Sequence, residues 1–223
     1  GIRLSTFLDA YPGGALLQGV LTVGWIVVVT NSHNLLDNMD GLAAGVATTA
    51  AAAFALIALA TGQHFVALAL FTLAGGALGF LAFNRPPASI FMGDAGSLTL
   101  GYHLAVLTVL FTFYDANHPL TLYFVPLLVL AVPLYDTASV ILIRLRTGKP
   151  VMTGDTNHLS HRLVALGLSR PAAVGLIVTL TAVTGLSALI LYRLDSAWSA
   201  LAFAQAAGVL LVVAVHEAAW RKK

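Results

Sequence analysis

Cysteine is absent from the 223-residue sequence. No disulfide, zinc finger or cysteine-ligated iron–sulfur cluster can be built from it, and the redox compartment leaves no mark. Charge is almost as scarce: 9% of residues are charged and 59% hydrophobic, with a mean hydropathy of +0.91. A water-exposed domain of that composition would carry a very large apolar surface, so the chain is expected in a bilayer. Residues 1–14 show no basic stretch followed by a small-residue cleavage site, and no signal peptide is visible. The first residue is Gly1 rather than methionine, and the sequence reads as one transmembrane domain, 1–223, missing its N-terminal part. Internal repeats and low-complexity tracts are also lacking.

What is present is a series of apolar runs. A hydrocarbon core of about 30 Å takes roughly 20 helical residues, and seven segments meet that length, at about 15–31, 41–61, 65–83, 97–114, 120–143, 170–192 and 197–217. The expected fold is all-α, a polytopic membrane protein of about seven transmembrane helices. Polar and turn-forming residues fill the breaks at 31–40, 61–64, 84–96, 115–119, 144–169 and 193–196. Arg85, Arg144, Arg146, Lys149, Arg162, Arg170, Arg221, Lys222 and Lys223 fall at alternate breaks, and only Arg3 and Arg193 fall on the opposite set. Basic residues are retained on the cytoplasmic side, which puts 31–40, 84–96 and 144–169 together on that face, with the amino terminus outside and the carboxyl terminus inside.

These three breaks are the chemically dense ones. In the first, Asn31, Asn34, Asp37 and Asp40 recur every third residue; on a helix the last three would span an arc of about 120°. Carboxylates at membrane depth face a bundle interior or an aqueous cavity, where they bind sugar hydroxyls, orient a metal or take a proton. The plainer alternative is an interfacial loop that is polar because it meets water, but no lysine or arginine balances the acids here. His33 falls outside the arc and is expected to be solvated or packed. In the second break, "NRPPASIFMGDAGSL", Asp94 stands between Gly93 and Ala95, ahead of a helix expected from about residue 97. Glycine lets backbone approach a phosphate, the helix N-terminus favours anions, and Mg²⁺ takes one or two protein carboxylates. The alternative is that Asp94 or Ser97 only caps the helix.

The third break carries Asp155, His158, His161 and Arg162 in the most basic loop. His158 and His161 are expected on one helical face, as a metal pair or as two contacts to a phosphate. No third strong ligand for zinc stands nearby, and imidazolium and guanidinium groups facing a polyanion suit the composition better. Arg144, Arg146 and Lys149 read as a solvated positive loop. Asp136 lies inside the fifth span, about 12 Å of helix before Arg144; it either supports the site from behind or pairs with a hydroxyl on a neighbouring helix. Pro126 and Pro133 are expected to kink that span. His103 reads as a packing residue, and His64, His118 and His216 as loop or interface residues.

"TNSHNLLDNMDGLAAG", "FMGDAGSLTLG" and "HLSHRLVALGLS", in this order, resemble the polyprenyl-phosphate N-acetylhexosamine-1-phosphate transferases, which start peptidoglycan, O-antigen, enterobacterial common antigen and teichoic-acid linkage synthesis. The resemblance covers residues 1–170 by motif and the last two helices by topology. It is nearer to the branch using UDP-N-acetylglucosamine-type donors than to the muramoyl-pentapeptide branch, whose last motif is three histidines before an acidic residue. It implies a catalytic domain of the inner cell membrane, active on its cytoplasmic face. There a polyprenyl (undecaprenyl) phosphate attacks the β-phosphate of a UDP-N-acetylhexosamine, giving polyprenyl-diphospho-sugar and UMP with Mg²⁺, or Mn²⁺ in its place. By motif position Asp94 is the metal ligand and a catalytic residue with His158 and His161. Asn31, Asn34, Asp37, Asp40 and Arg162 bind the substrates. No nucleic acid partner is implied, and a homodimer is compatible.

Two departures stand out. The family carries an Asp-Asp pair in an earlier cytoplasmic loop, and this chain has no adjacent aspartates; Asp9 is isolated and falls on the wrong side. Ser160 stands where many relatives have a further histidine, leaving His158 and His161 as the pair. The rival class is a secondary transporter, with Asp136 and the Asp37/Asp40 pair binding a coupling cation. A rival enzyme, an intramembrane aromatic prenyltransferase, needs two acid-rich motifs facing one cavity.

Overall fold

A computed structural model describes residues 13–111, 124–150, 157–191 and part of 200–214. Asp9, His118, Asp155, His216 and the 115–119 break lie outside the described residues. Among the described residues the fold is all-helical: α1 Gly14–Leu36, α2 Leu42–Ala60, α3 His64–Asn84, α4 Gly93–Leu110, α5 Val125–Val129, α6 Ala131–Arg146, α7 Leu159–Ala165 and α8 Arg170–Leu191. Of these, α1, α2, α3 and α8 are long and apolar enough to cross a membrane. The expected fifth span is broken at Leu130 into α5 and α6. Pro133 is the third residue of α6, where a missing N–H costs the helix nothing, and its ring bars continuation from the preceding turn.

Helix α2 forms the centre because its residues are small. Ala43, Ala44, Ala47, Ala50, Ala51 and Ala55 are all buried, with Phe54 filling the remaining space. Small residues let neighbouring helices come close where lipid provides no hydrophobic drive for association. A β-carbon on Gly45 would lie 2.8 Å from Val178 Cγ2, and one on Gly185 would lie 2.9 Å from Ala53 Cβ, so α2 and α8 touch through glycines on both sides. By contrast α3 turns Phe65, Leu68, Phe71 and Leu78 outward. An apolar face of that size suits lipid rather than water.

Two further contacts position the polar end of the bundle. Helix α4 crosses α1 at Gly101, where a β-carbon would stand 2.8 Å from Thr30 Cα and 2.9 Å from Thr30 O. The two backbones therefore meet at a point only glycine permits. Beneath the polar residues, Leu159 and Leu163 of α7 pack with Leu36, Leu42, Val132, Ala173 and Ile177. Their four-residue spacing puts both leucines on one face of the short helix. Each contributes about 1.5–3 kcal/mol relative to exposure in water, and together they anchor His158 and His161 to the bundle.

Candidate active site

The first cluster does not continue as a helix. Helix α1 ends at Leu36; Asp37 has φ −77 and ψ 50, and a turn leads to Gly41 at φ +77. Gly41 holds the left-handed conformation that a side chain disfavours. The expected helical arc therefore stops before Asp37, because Asn38 donates its amide to Leu35 O at 2.7 Å and satisfies a last-turn carbonyl locally. The turn is docked on the second break: Asp40 Oδ2 accepts from Ala88 N at 3.0 Å, and Asn84 Oδ1 accepts from Gly41 N at 2.9 Å. Asn31 stays apart from this assembly, exposed, with its amide on Val27 O at 2.7 Å. His33 is packed and buried.

Helix α4 begins four residues earlier than expected, at Gly93, so Asp94 lies within its first turn. Gly93 is left-handed at φ +61, and no side chain caps the helix; the capping alternative for Asp94 and Ser97 is not realised. Asn34 instead joins the clusters, donating its amide to Asp94 Oδ1 at 2.9 Å and to Ser97 Oγ at 3.0 Å. Ser97 is buried and donates in turn to Gly93 O at 3.1 Å. Asp37 completes the acid wall. Burial raises its pKa, a backbone hydrogen bond at Gly93 opposes the rise, and the charge of Asp94 adds to it. Two carboxylates held within each other's field, one of them exposed, fit a hard dication. Mg²⁺ takes one or two carboxylates and leaves its other positions to phosphate and water. Among the described residues no group of three or more histidine or acidic side chains has metal-binding geometry.

On the basic side the two histidines part company. His158 is not on a helix: it precedes α7 with φ −65 and ψ 149, and its Nδ1 lies 2.9 Å from Asp136 Oδ2. Asp136 Oδ1 accepts from Leu159 N at 2.5 Å, which starts the helix one residue after His158. The expected shared face therefore does not form. His161, inside α7, lines a cleft of about 410 Å³ with Asn38, Met39, Asp40, Pro86 and Arg170. Its pKa is lowered, first by burial and then by His158 and Arg170, against a rise from Asp136. The free ring is biased to its neutral form, unlike the expected imidazolium.

Arg162 turns inward. At 8% exposure it donates to Ser139 Oγ at 2.9 Å and to Asn157 O, with Asp136 Oδ1 3.9 Å away. Arg144, read from the sequence as solvated, is 4% exposed in the last turn of α6, because that helix runs on through Arg146 and carries it into the packed bundle. Among the described residues Arg170 is the cation lining the cleft; in the sequence it counted only among the basic residues that set the orientation, not as a site candidate. Ser160 ties the two walls together, donating to Asn38 Oδ1. Thr137, beside Asp136, does the same from α6 to Ser32 at 2.9 Å. The three polar breaks thus form one assembly at one end of the bundle.

The sequence model described as glycosyl transferase family 4 matches residues 3–112, which include the whole acid wall. Over that stretch the chain is similar to glycosyl transferase family 4. It is 38% identical over 171 residues to a probable undecaprenyl-phosphate N-acetylglucosaminyl 1-phosphate transferase of Bacillus subtilis (strain 168), covering 77% of this chain and 47% of the relative. It is 42% identical over 127 residues to a phospho-N-acetylmuramoyl-pentapeptide-transferase of Enterococcus hirae, covering 57% of this chain and 37% of the relative. A protein of the same description from Lactiplantibacillus plantarum is 45% identical over 118 residues, 53% of this chain and 34% of the relative. The chain spans less than half the length of these glycosyl transferase relatives.

Proposed function

We propose that this chain carries the donor- and metal-binding part of a Mg²⁺-dependent membrane transferase. The transferase moves N-acetylhexosamine-1-phosphate, most simply GlcNAc-1-phosphate, from a UDP-sugar to a polyprenyl phosphate and releases UMP. The carrying observation is the Asn34–Asp94 hydrogen bond, which joins two separate motifs beside Asp37, while Asn38 and Asp40 of the same turn line a cleft with His161 and Arg170. Phosphoryl transfer asks for positioning and charge neutralisation rather than covalent chemistry. A bound Mg²⁺ would neutralise charge spreading over the diphosphate. Asp94 and Asp37 would hold it, and Asn34 keeps Asp94 Oδ1 turned so that its second oxygen is available.

The cleft of about 410 Å³ falls within the roughly 300–1,000 Å³ usual for small-molecule sites and would receive the water-soluble donor. Arg170 supplies the fixed positive charge on its wall. His161, neutral when free, takes a proton as the donor's diphosphate arrives, and its N–H then donates to a phosphate oxygen. A site at the end of apolar helices suits a reaction that joins a soluble donor to a lipid acceptor, on the cytoplasmic face of the inner membrane if the basic residues set the orientation. Support against the transporter reading comes from Asp136. It is 1% exposed and already paired with His158 and the Leu159 N–H, with the Arg162 guanidinium 3.9 Å away, which leaves a further cation little to gain there.

The test is UMP release from UDP-N-acetylglucosamine by the protein in detergent with polyprenyl phosphate. Asp94→Asn is expected to cut the rate at least 100-fold, the scale of losing a preorganised electrostatic contact, with insertion into membranes unchanged. Substrate flux into vesicles without UMP release would refute the reading, as would normal turnover in Asp94→Asn.

A further inference from the structure

Asp136 was ambiguous as a sequence feature and is a heavily committed buried charge among the described residues. At 1% exposure it binds the His158 ring through Oδ2 and the Leu159 N–H through Oδ1, with the Arg162 guanidinium 3.9 Å away. A buried carboxylate is retained only where partners offset its desolvation, and Leu159 N–H with Arg162 would serve that end without any histidine. The His158 contact adds something else. A carboxylate only accepts, so Nδ1 must carry the hydrogen, and a neutral ring is then left with its lone pair on Nε2. His158 is 5% exposed, and its ring hydrogen bond among the described residues is made through Nδ1.

We propose that Asp136 is a positioning residue that fixes His158 in the Nδ1–H tautomer and in one orientation, leaving Nε2 as the ring's proton-accepting atom in the transfer reaction. The reaction half of this statement rests on the transferase reading above; the tautomer half does not. Asp136 sits beside Thr137, whose hydroxyl binds Ser32, two residues before Asn34. One turn of α6 therefore sets the register of both the histidine and the acid wall. The neighbouring Ser139 holds Arg162 at 2.9 Å, so the same turn also braces α7 from within.

The test combines spectroscopy with kinetics. In ¹⁵N-labelled protein at a pH where the rings are neutral, with His158→Gln used to assign the signal, His158 is expected to carry its hydrogen on Nδ1. Asp136→Asn keeps the shape but turns an N–H toward Nδ1, and the hydrogen is expected to move to Nε2. Turnover should then fall roughly 100-fold or more, as when a carboxylate partner of a catalytic histidine becomes an amide, while KM for the UDP-sugar changes by less than about 3-fold. Asp136→Glu should restore the Nδ1–H signal and part of the rate. An Nε2–H signal in the unaltered protein, which needs no variant to fold, would overturn the proposal. So would an Asp136→Asn protein that melts earlier but keeps its kcat. Absence of UMP release by the unaltered protein would instead defeat the transferase reading, and the nitrogen spectrum would still judge the Asp136–His158 pairing.

Discussion

At the scale of single residues, Asp37 shows that the site is built at a cost to the fold. Its pKa is raised above the ordinary 3.8, by burial first and by Asp94 as well, so the folded state holds its proton more readily than the unfolded chain. As pH rises through the window between those two values, the unfolded state loses its proton first and folding stability falls. Asp37→Asn is therefore expected to raise the melting temperature in chelator at neutral pH and to abolish the gain from added Mg²⁺; a lowered melting temperature in chelator would contradict this. His161 has the opposite sign. Its pKa lies below 6.5, so its stabilising effect is present above 6.5 and is lost as pH falls toward the folded value. An arriving diphosphate reverses the bias, so donor affinity should strengthen as pH drops below 6.5 and flatten in His161→Gln, as read by equilibrium binding. Asp94, Asn34 and Asp37 were legible because acids and amides without a balancing base need a reason at a membrane boundary. The inward turn of Arg162 and the burial of His158 were not, because the carboxylate holding them stands 22 residues before His158 on another helix.

Among the elements, the α1–α4 crossing carries most of the geometry. Thr30 backbone atoms stand where a Gly101 side chain would go, and neither a main-chain atom nor a helix axis yields as a flexible side chain does. Gly101→Ala should destabilise the protein by about 1–3 kcal/mol, the usual range for overpacking. It should also lengthen the Asn34–Asp94 contact, lowering UMP release more than a surface Gly75→Ala control, since Gly75 has open space around it. Equal melting temperatures and rates for the two variants would refute that account. The break between α5 and α6 was readable from Pro133. The break at 31–40 was readable too, but not that α1 runs on through Asn31 and Asn34 to stop inside it at Leu36, where the Asn38 side chain and left-handed Gly41 impose the end.

For the whole molecule, the composition disclosed a bilayer protein, and the four span-grade helices agree with it. Periodicity could not separate a crossing helix from an apolar one broken by proline, as at 125–146. Sidedness is directly testable because the chain has no cysteine of its own. Lys149 and His64 are both exposed and lie at breaks expected on opposite faces. Lys149→Cys is expected to react with an impermeant maleimide only in inverted membrane vesicles, and His64→Cys only in right-side-out ones; the reverse pattern would place the site on the outer face.

Helices in a bilayer answer changes in lipid length by tilting. Because α1 and α4 are seated on one another at Gly101 and Thr30, they should lean together, like two planks pinned at one point. The spacing of Asn34 and Asp94 would then be nearly the same in thin and thick membranes, so the ion seat would be insulated from the acyl-chain composition that surrounds it.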